Sequence, residues 1–196
     1  MTQDEILDHF RKTNALLDGH FVLSSGLHSP TYLQCALALQ KPADADTFAR
    51  EIVNKMALDG TIAGIETVAS PAIGGLVIGF AVAQAIGVRF IWTERQNGEM
   101  TLRRGFNVQK GEKILVVEDV ITTGGSTREC MAVLEQRGAE IIAAASIVDR
   151  SAGRADVGVT RISLVSLDVP SYEPANCPLC ANGSPAVRPG SRISRR

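Results

Sequence analysis

The chain has no excess of charge of either sign: twenty Lys and Arg stand against twenty-one Asp and Glu in 196 residues, a formal net charge of −1. Binding to a nucleic-acid backbone rests on clustered cations, so nucleic acid is not expected as a partner. The one local exception is the C-terminus, where Arg188, Arg192, Arg195 and Arg196 fall within nine residues. Cysteine is sparse. Cys35, Cys130, Cys177 and Cys180 are too few for a disulfide scaffold in a chain of this length, and reduced thiols are expected. Long hydrophobic runs are missing too. The longest, Leu76 to Val88, is interrupted by Gln84 and is too short to span a bilayer, so no membrane partner is expected. The opening Thr2-Gln3-Asp4-Glu5 carries neither the basic region nor the apolar run of a leader, and the expected location is the cytoplasm. There is no internal repeat.

What is present is the composition of a globular protein, with 45% hydrophobic and 21% charged residues. The length suits one domain with its own core and a small appendage. Thr2 and Glu5 form a capping box, with Ile6, Phe10 and Leu17 at roughly helical spacing up to Gly19. His20 to Leu23 and Thr31 to Cys35 read as strands around a turn at residues 24–30. Pro42 opens a helix whose buried face is Phe48, Ile52 and Met56, ending at Gly60. From residue 61 the rhythm is strand, glycine-rich loop, helix, strand. Ile65–Ala69, Val88–Trp92, Ile114–Val117 and Ile141–Val148 read as strands, Leu76–Ile86 and Ser126–Arg137 as helices, and Thr93–Arg104 as an exposed, mobile loop. This alternation predicts an α/β fold with a central parallel sheet flanked by helices. Pro170, Pro174, Pro178, Pro185 and Pro189 forbid a long regular element near the C-terminus. The expected layout is a helix, hairpin and helix over 1–60, an α/β core over 61–165 and a Pro-rich segment over 166–196, the terminal parts forming a small hood lobe.

The informative run is Ile114-Leu115-Val116-Val117-Glu118-Asp119-Val120-Ile121-Thr122-Thr123-Gly124-Gly125-Ser126-Thr127. Four apolar residues make a buried strand, and two carboxylates follow at its C-terminal end, where open α/β sheets bind ligands. Glycines then let backbone N–H groups approach an anion, hydroxyls add donors, and a helix N-terminus adds favourable partial charge. Neither Gly-Lys-Ser/Thr nor Gly-x-Gly-x-x-Gly is present, so this is neither a Walker loop nor a dinucleotide fingerprint. Carboxylates repel phosphate but suit the vicinal hydroxyls of a ribose attached to it.

The stretch Val116 to Ser126 resembles the phosphoribosyl-diphosphate (PRPP) motif of the type I phosphoribosyltransferases, and within that family the chain is similar to the orotate-specific members. The likeness extends over Phe21-Val22-Leu23-Ser24-Ser25-Gly26-Leu27-His28-Ser29-Pro30 with Tyr32, over Ser70-Pro71-Ala72-Ile73-Gly74-Gly75, and over Val148-Asp149-Arg150. The resemblance implies transfer of ribose 5-phosphate from PRPP to N1 of orotate in pyrimidine biosynthesis, by a homodimer. It also implies Mg²⁺ held mainly through PRPP rather than by a dedicated protein site. By the same likeness, Glu118 and Asp119 hold the ribose hydroxyls and favour positive charge at C1. Thr122, Thr123, Gly124, Gly125 and Ser126 take the 5′-phosphate, and Val120 and Ile121 belong to the same PRPP-binding run. Ala72, Ile73 and Gly74 present backbone to the diphosphate. Arg150 meets the orotate carboxylate, with Thr122 and Tyr32 beside the base.

Two departures from the family pattern stand out. Ser24 occupies a place where many orotate enzymes have lysine, and Thr93 to Arg104 contains neither lysine nor histidine. Arg95, Arg103 and Arg104 are the cations available there, and Arg95 and Arg103 are the candidates for stabilising the leaving group. Arginine stays charged, so charge stabilisation is expected rather than proton donation. His28 reads either as a substrate contact or as a structural residue. Cys177-Pro178-Leu179-Cys180 offers two of the four ligands of a zinc site, the other two having to come from a symmetry mate; a redox pair would need a helix start near a βαβ unit, and a reduced pair in a tight turn is the expected reading. The competing functions are a purine phosphoribosyltransferase and a non-catalytic PRPP-sensing regulator, which the same phosphate cradle would also serve.

Overall fold

The computed structural model describes residues 1–23 and 25–189, so the readings on Ser24, Arg192, Arg195 and Arg196 lie outside the described residues. Helix α1 (Gln3–Lys12) starts at the expected capping box: the Thr2 hydroxyl accepts from Glu5 N at 3.2 Å, and the Glu5 carboxylate accepts from Thr2 N at 2.7 Å. The helix does not run on to Leu17. Asn14 takes φ 55°, a left-handed conformation that asparagine tolerates, and the chain leaves as strand β1 (Leu16–Val22). Strand β2 (His28–Leu33) pairs with β1 antiparallel, and Cys35, expected in that strand, instead opens the short helix α2 (Cys35–Ala38). Helix α3 (Pro42–Leu58) buries Phe48, Ile52 and Met56 as anticipated.

A six-stranded sheet follows, built from β3 (Thr67–Pro71), β4 (Arg89–Gln96), β5 (Glu99–Leu102), β6 (Lys113–Ile121), β7 (Glu140–Asp149) and β8 (Arg161–Ser166) in the spatial order β5-β4-β3-β6-β7-β8. All neighbours are parallel except β4 and β5. Helix α4 (Gly75–Ile86) follows β3 and α5 (Gly125–Glu135) follows β6. The expected mobile loop at 93–104 is a hairpin: β4 continues to Gln96, and Asn97 (φ 53°) and Gly98 (φ 91°) turn the chain into β5. Two successive left-handed residues are what a tight hairpin turn requires, and Asn-Gly supplies them with little strain. Strand β8, at the end of the expected core and not assigned as a strand from the sequence, completes the far edge by burying Ile162 and Leu164.

Strand β6 divides the core. Leu115 and Val117 face a cluster with Ile6, Phe10, Phe48, Ile52 and Ile78, while Ile114 and Val116 face a cluster with Cys130, Met131 and Leu134. Both faces are covered, so the strand is apolar without interruption rather than alternating. The C-terminal segment pairs with the β1–β2 hairpin. Val187 N donates to His20 O at 2.8 Å and Val22 N to Val187 O at 2.9 Å, while Tyr172 and His28 exchange two backbone bonds of 2.8 Å. No helix among the described residues is long and apolar enough to cross a membrane. The short helix α6 (Pro178–Ala181) lies in this C-terminal segment.

Helix α4 approaches the sheet closely because glycine faces it. A methyl group on Gly79 would lie 2.7 Å from the Phe90 ring and closer still to the buried Ser70 Oγ, a hydroxyl without a hydrogen-bond partner among the described residues. Gly79→Ala is therefore expected to destabilise by about 1–3 kcal/mol through overpacking, despite the helical preference of alanine. Thermal melting should fall by roughly 3–8 °C, with part of the loss restored when Ser70→Ala is added. A higher melting temperature for Gly79→Ala would rule out this account of the packing.

Candidate active site

The pleat of β6 assigns the two carboxylates. Expected just beyond the strand, Glu118 and Asp119 lie inside it, and alternation sends them to opposite faces. Glu118 follows Ile114 and Val116 toward α5, where its carboxylate accepts a short hydrogen bond from the Thr127 hydroxyl. Asp119 follows Leu115 and Val117 toward α4, and a methyl group on Gly74 would come within 2.7 Å of its Oδ1. Only glycine at 74 lets the loop before α4 lie against that carboxylate. Burial pushes Glu118 up to about 7, offset in part by the Thr127 hydroxyl and reinforced by the neighbouring Asp119. Burial raises Asp119 as well, against hydrogen bonds from backbone N–H groups and the Cys35 thiol. Both groups are held above the ordinary carboxylate range.

Beyond Ile121 the chain turns through Thr122 and Thr123 to Gly124 (φ 73°), which caps α5. A cavity of about 190 Å³ is enclosed there by Glu118, Val120, the loop Thr122–Ser126, Arg95 and Glu129. Gly124 through Ser126 form the N-terminus of an eleven-residue helix, and Arg95 reaches across from β4, held by Gly98 O at 2.8 Å and by the Glu129 carboxylate. Backbone N–H groups of the helix start, hydroxyls and the Arg95 guanidinium share this small polar space with the Glu118 and Glu129 carboxylates, and the loop side of it can accommodate an anion. Ala72, Ile73 and Gly74 lie on the other side of β6 before α4. Ala72 N donates to Thr93 O at 2.7 Å, and the Ile73 side chain is 84% exposed.

A second cavity, about 730 Å³, shares Thr122 and Thr123 as its wall and extends to Arg150, Arg128, Ser25, Leu27 and Val169. Arg150 follows β7, and its loop is tightly held. Asp149 accepts from Ser151 N and Gly153 N, both at 2.8 Å, and pairs with Arg161 at 2.8 Å. Burial would raise the Asp149 carboxyl, but these hydrogen bonds and Arg161 outweigh it and keep it low. Arg150 donates to Ser29 Oγ at 3.1 Å and is half-buried, which lowers its pKa without taking it out of the charged range.

Of the residues expected at a site, Glu118, Val120, Thr122 to Ser126, Arg95 and Arg150 thus gather around the two joined cavities, with Asp119 and Ala72 to Gly74 on the adjoining face. Ile121 is buried beneath them. Two do not gather. Arg103 pairs with Glu94 at 3.6 Å and lines neither cavity, and Tyr32 sets its ring against Phe21 with centroids 5.8 Å apart. His28 is buried in the hairpin and lines neither cavity. Sequence reasoning missed Arg128, whose Nη1 holds Thr123 O at 2.9 Å and Asp156 O at 2.6 Å and so braces the anion loop. Its position in the first turn of the helix after a glycine loop was the available signal. The hairpin turn that brings Arg95 back was signalled by Asn97-Gly98.

Comparison with known proteins agrees with this geometry. The phosphoribosyl transferase domain model matches residues 39–170. Over 192 residues the chain is 50% identical to the orotate phosphoribosyltransferase of Pelotomaculum thermopropionicum, covering 98% of this chain and 99% of that one. It is 47% identical to the orotate phosphoribosyltransferase of Chlorobium phaeobacteroides over the whole of both chains. The crystal structure of orotate phosphoribosyltransferase from Aeropyrum pernix superimposes with a TM-score of 0.68 at 27% identity, covering 83% of this chain and 93% of that one. A PRPP-type motif on β6, an anion loop capping α5 and an arginine after β7 therefore coincide with full-length similarity, and the chain belongs to the orotate phosphoribosyltransferase family.

Proposed function

We propose that the protein transfers ribose 5-phosphate from PRPP to N1 of orotate, giving orotidine 5′-monophosphate and diphosphate, as a cytoplasmic enzyme of pyrimidine biosynthesis. The observation that carries this reading is the wall shared by the two cavities: Thr122 and Thr123 separate an anion cradle from a larger space ending in a half-buried arginine. A ribose bridging that wall has its 5′-phosphate on Thr122 to Ser126 and its C1 toward the base. Orotate differs from uracil by a carboxylate, and Arg150 supplies the planar double donor that reads it. A purine has no carboxylate to pair with Arg150, and a DNA-binding regulator would need a basic face that this balanced chain lacks.

In the reaction the C1–diphosphate bond breaks as N1 bonds to C1, so positive charge gathers on the ribose ring and negative charge on the leaving group. Glu118 and Asp119 hold the ribose hydroxyls from opposite faces of β6 and favour the developing cation. Ala72, Ile73 and Gly74 offer backbone to the diphosphate, and Arg95 neutralises phosphate charge. The Glu118 and Asp119 carboxylates suit a hard cation, and Mg²⁺ would be held mainly through PRPP with these two nearby. When bound, it neutralises the departing diphosphate. The chain itself contributes mostly positioning and preorganised charge.

We further propose a homodimer. Val77 and Phe80 of α4 are 48% and 58% exposed, next to an apolar-lined cavity with Leu76 and Pro42, and this face continues from exposed Ile73 of the diphosphate loop. A second copy seated there lies beside the first one's leaving group, where Arg103, outside both cavities of its own chain, acts on the partner's diphosphate.

Three outcomes are expected. Orotate absorbance falls with PRPP and Mg²⁺ while uracil, adenine, hypoxanthine and guanine are not consumed, and Arg150→Ala raises the orotate KM by roughly a hundredfold or more. Use of uracil as readily as orotate would discard Arg150 as the carboxylate reader. Glu118→Gln tests the buried carboxylate. A folded-state pKa raised to about 7 from an ordinary 4.5 means that the wild type loses stability as pH rises between those values. The variant, which keeps an acceptor for Thr127, lacks this loss. It should be more stable than wild type above pH 7 by up to about 3 kcal/mol and melt correspondingly higher, the gap closing toward pH 4.5, and turnover should drop. Equal melting at both pH values would contradict the raised pKa. Finally, Phe80→Glu should sediment as a monomer. Mixing inactive Arg103→Ala with inactive Glu118→Gln should restore up to about a quarter of wild-type sites, and no recovery would place Arg103 outside a shared site.

A further inference from the structure

Four side chains from three separate segments converge away from the active site. His20 from β1, His28 from β2, and Cys177 and Cys180 flanking the start of α6 bring one donor atom each to within 4.8 Å of one another. His20 Nε2 lies 2.8 Å from His28 Nδ1, 3.6 Å from Cys177 Sγ and 3.8 Å from Cys180 Sγ, and Cys180 Sγ lies 3.3 Å from His28 Nδ1. We propose that these residues form a structural Cys₂His₂ zinc site that clasps the C-terminal segment onto the β1–β2 hairpin.

Zinc–sulfur bonds of about 2.3 Å and zinc–nitrogen bonds of about 2.0–2.1 Å at tetrahedral angles put sulfur and nitrogen about 3.5–3.6 Å apart. The three sulfur–nitrogen separations bracket that value. The two imidazole nitrogens are closer than the roughly 3.3 Å of a tetrahedral site, so the rings part by about 0.5 Å on binding. The outer shell is already set. His20 Nδ1 is 2.8 Å from Ser184 O, and a carbonyl can only accept, so Nδ1 carries the proton and Nε2 presents its lone pair to the cluster. The Cys-x₂-Cys spacing wraps both thiolates around one centre, and the three other donors are buried while Cys180 is exposed. With four protein ligands the site is closed and has no open position for chemistry.

The clasp has a consequence for the active site, which rests on the function proposed above. Ser29, Ser25 and Leu27 belong to or adjoin the clasped hairpin, and Ser29 holds Arg150 while the other two line the larger cavity. Freeing the C-terminal segment loosens that wall and leaves the anion loop on α5 in place.

The test is elemental analysis of tag-free protein purified without chelator, together with replacement by Co²⁺. About one zinc per chain is expected, with tetrahedral cobalt bands and thiolate charge transfer on replacement. Cys177→Ser and Cys180→Ser should each lose the metal. Their orotate KM should rise about tenfold with the PRPP KM little changed. Should either variant fail to fold, the metal content and cobalt spectrum of the wild type decide alone. A protein that takes up no zinc under reducing conditions, a Cys177–Cys180 disulfide found by mass spectrometry, or melting indifferent to a chelator would each overturn the proposal. A zinc-loaded protein inactive with orotate would leave the clasp standing and reject the function instead.

Discussion

The site depends on the two-sided burial of strand β6. Helices cover both faces of the sheet, so every residue of β6 from Ile114 to Val117 is fully enclosed, and polar side chains become tolerable only where the strand emerges. Because side chains alternate, the first two polar residues cannot share a face. One carboxylate is given to α5 and the anion loop, the other to α4 and the loop before it. A ligand that needs both must lie across the end of the strand, which is how a sugar presenting two adjacent hydroxyls would lie. The same enclosure that positions the pair also raises both pKa values, since little water remains to solvate the charged forms.

Close approach on the α4 side has a related cause. Gly74, Gly75 and Gly79 leave room for Asp119, for Val117 O and for Ser70 and Phe90, and together they draw the helix against the sheet. This brings the loop of Ala72 to Gly74 into the same small volume as the carboxylate. Side chains at those positions would push the helix away and separate the two halves of the site, so packing and chemistry are governed there by the same residues.

Much of this was legible in the sequence, for identifiable reasons. The run from Ile114 to Thr127 contains strand, carboxylates, loop and helix start in contiguous residues, so local pattern suffices to place them. The strand before Arg150 was legible from its apolar run, but the arginine itself was singled out by the family likeness of Val148-Asp149-Arg150. The extent of β4 was lost because charged residues hide an edge hairpin, although Asn97-Gly98 marked its turn. Leu17 fits helical spacing from Phe10, but the left-handed Asn14 intervenes and a period cannot register it. Arg103 was drawn into the site because the stretch 93–104 corresponds to a cationic loop of the family, in which Arg95, Arg103 and Arg104 are the cations available. In a two-stranded hairpin, closeness along the chain does not decide which residue faces the cavity, and Glu94 holds Arg103 outside it.

The metal-ligand cluster was illegible for a stronger reason. Cys177 and Cys180 announce half a site, but His20 lies 157 residues from Cys177 and nothing in the spacing joins them. What joins them is the backbone pairing of Val187 with β1 and Tyr172 with β2, which lays the end of the chain along both sides of the first hairpin. An isolated pair of strands is marginal in water, and this lobe has little apolar interior of its own. Cross-linking is the usual remedy where a core is too small, by disulfide in oxidising surroundings and by metal in reducing ones. The hairpin must still be rigid, because through Ser29 it fixes the guanidinium of Arg150. The placement of Arg150 is therefore borrowed from the pairing of the C-terminal segment with the first hairpin, while that of the Thr122–Ser126 loop comes from the sheet.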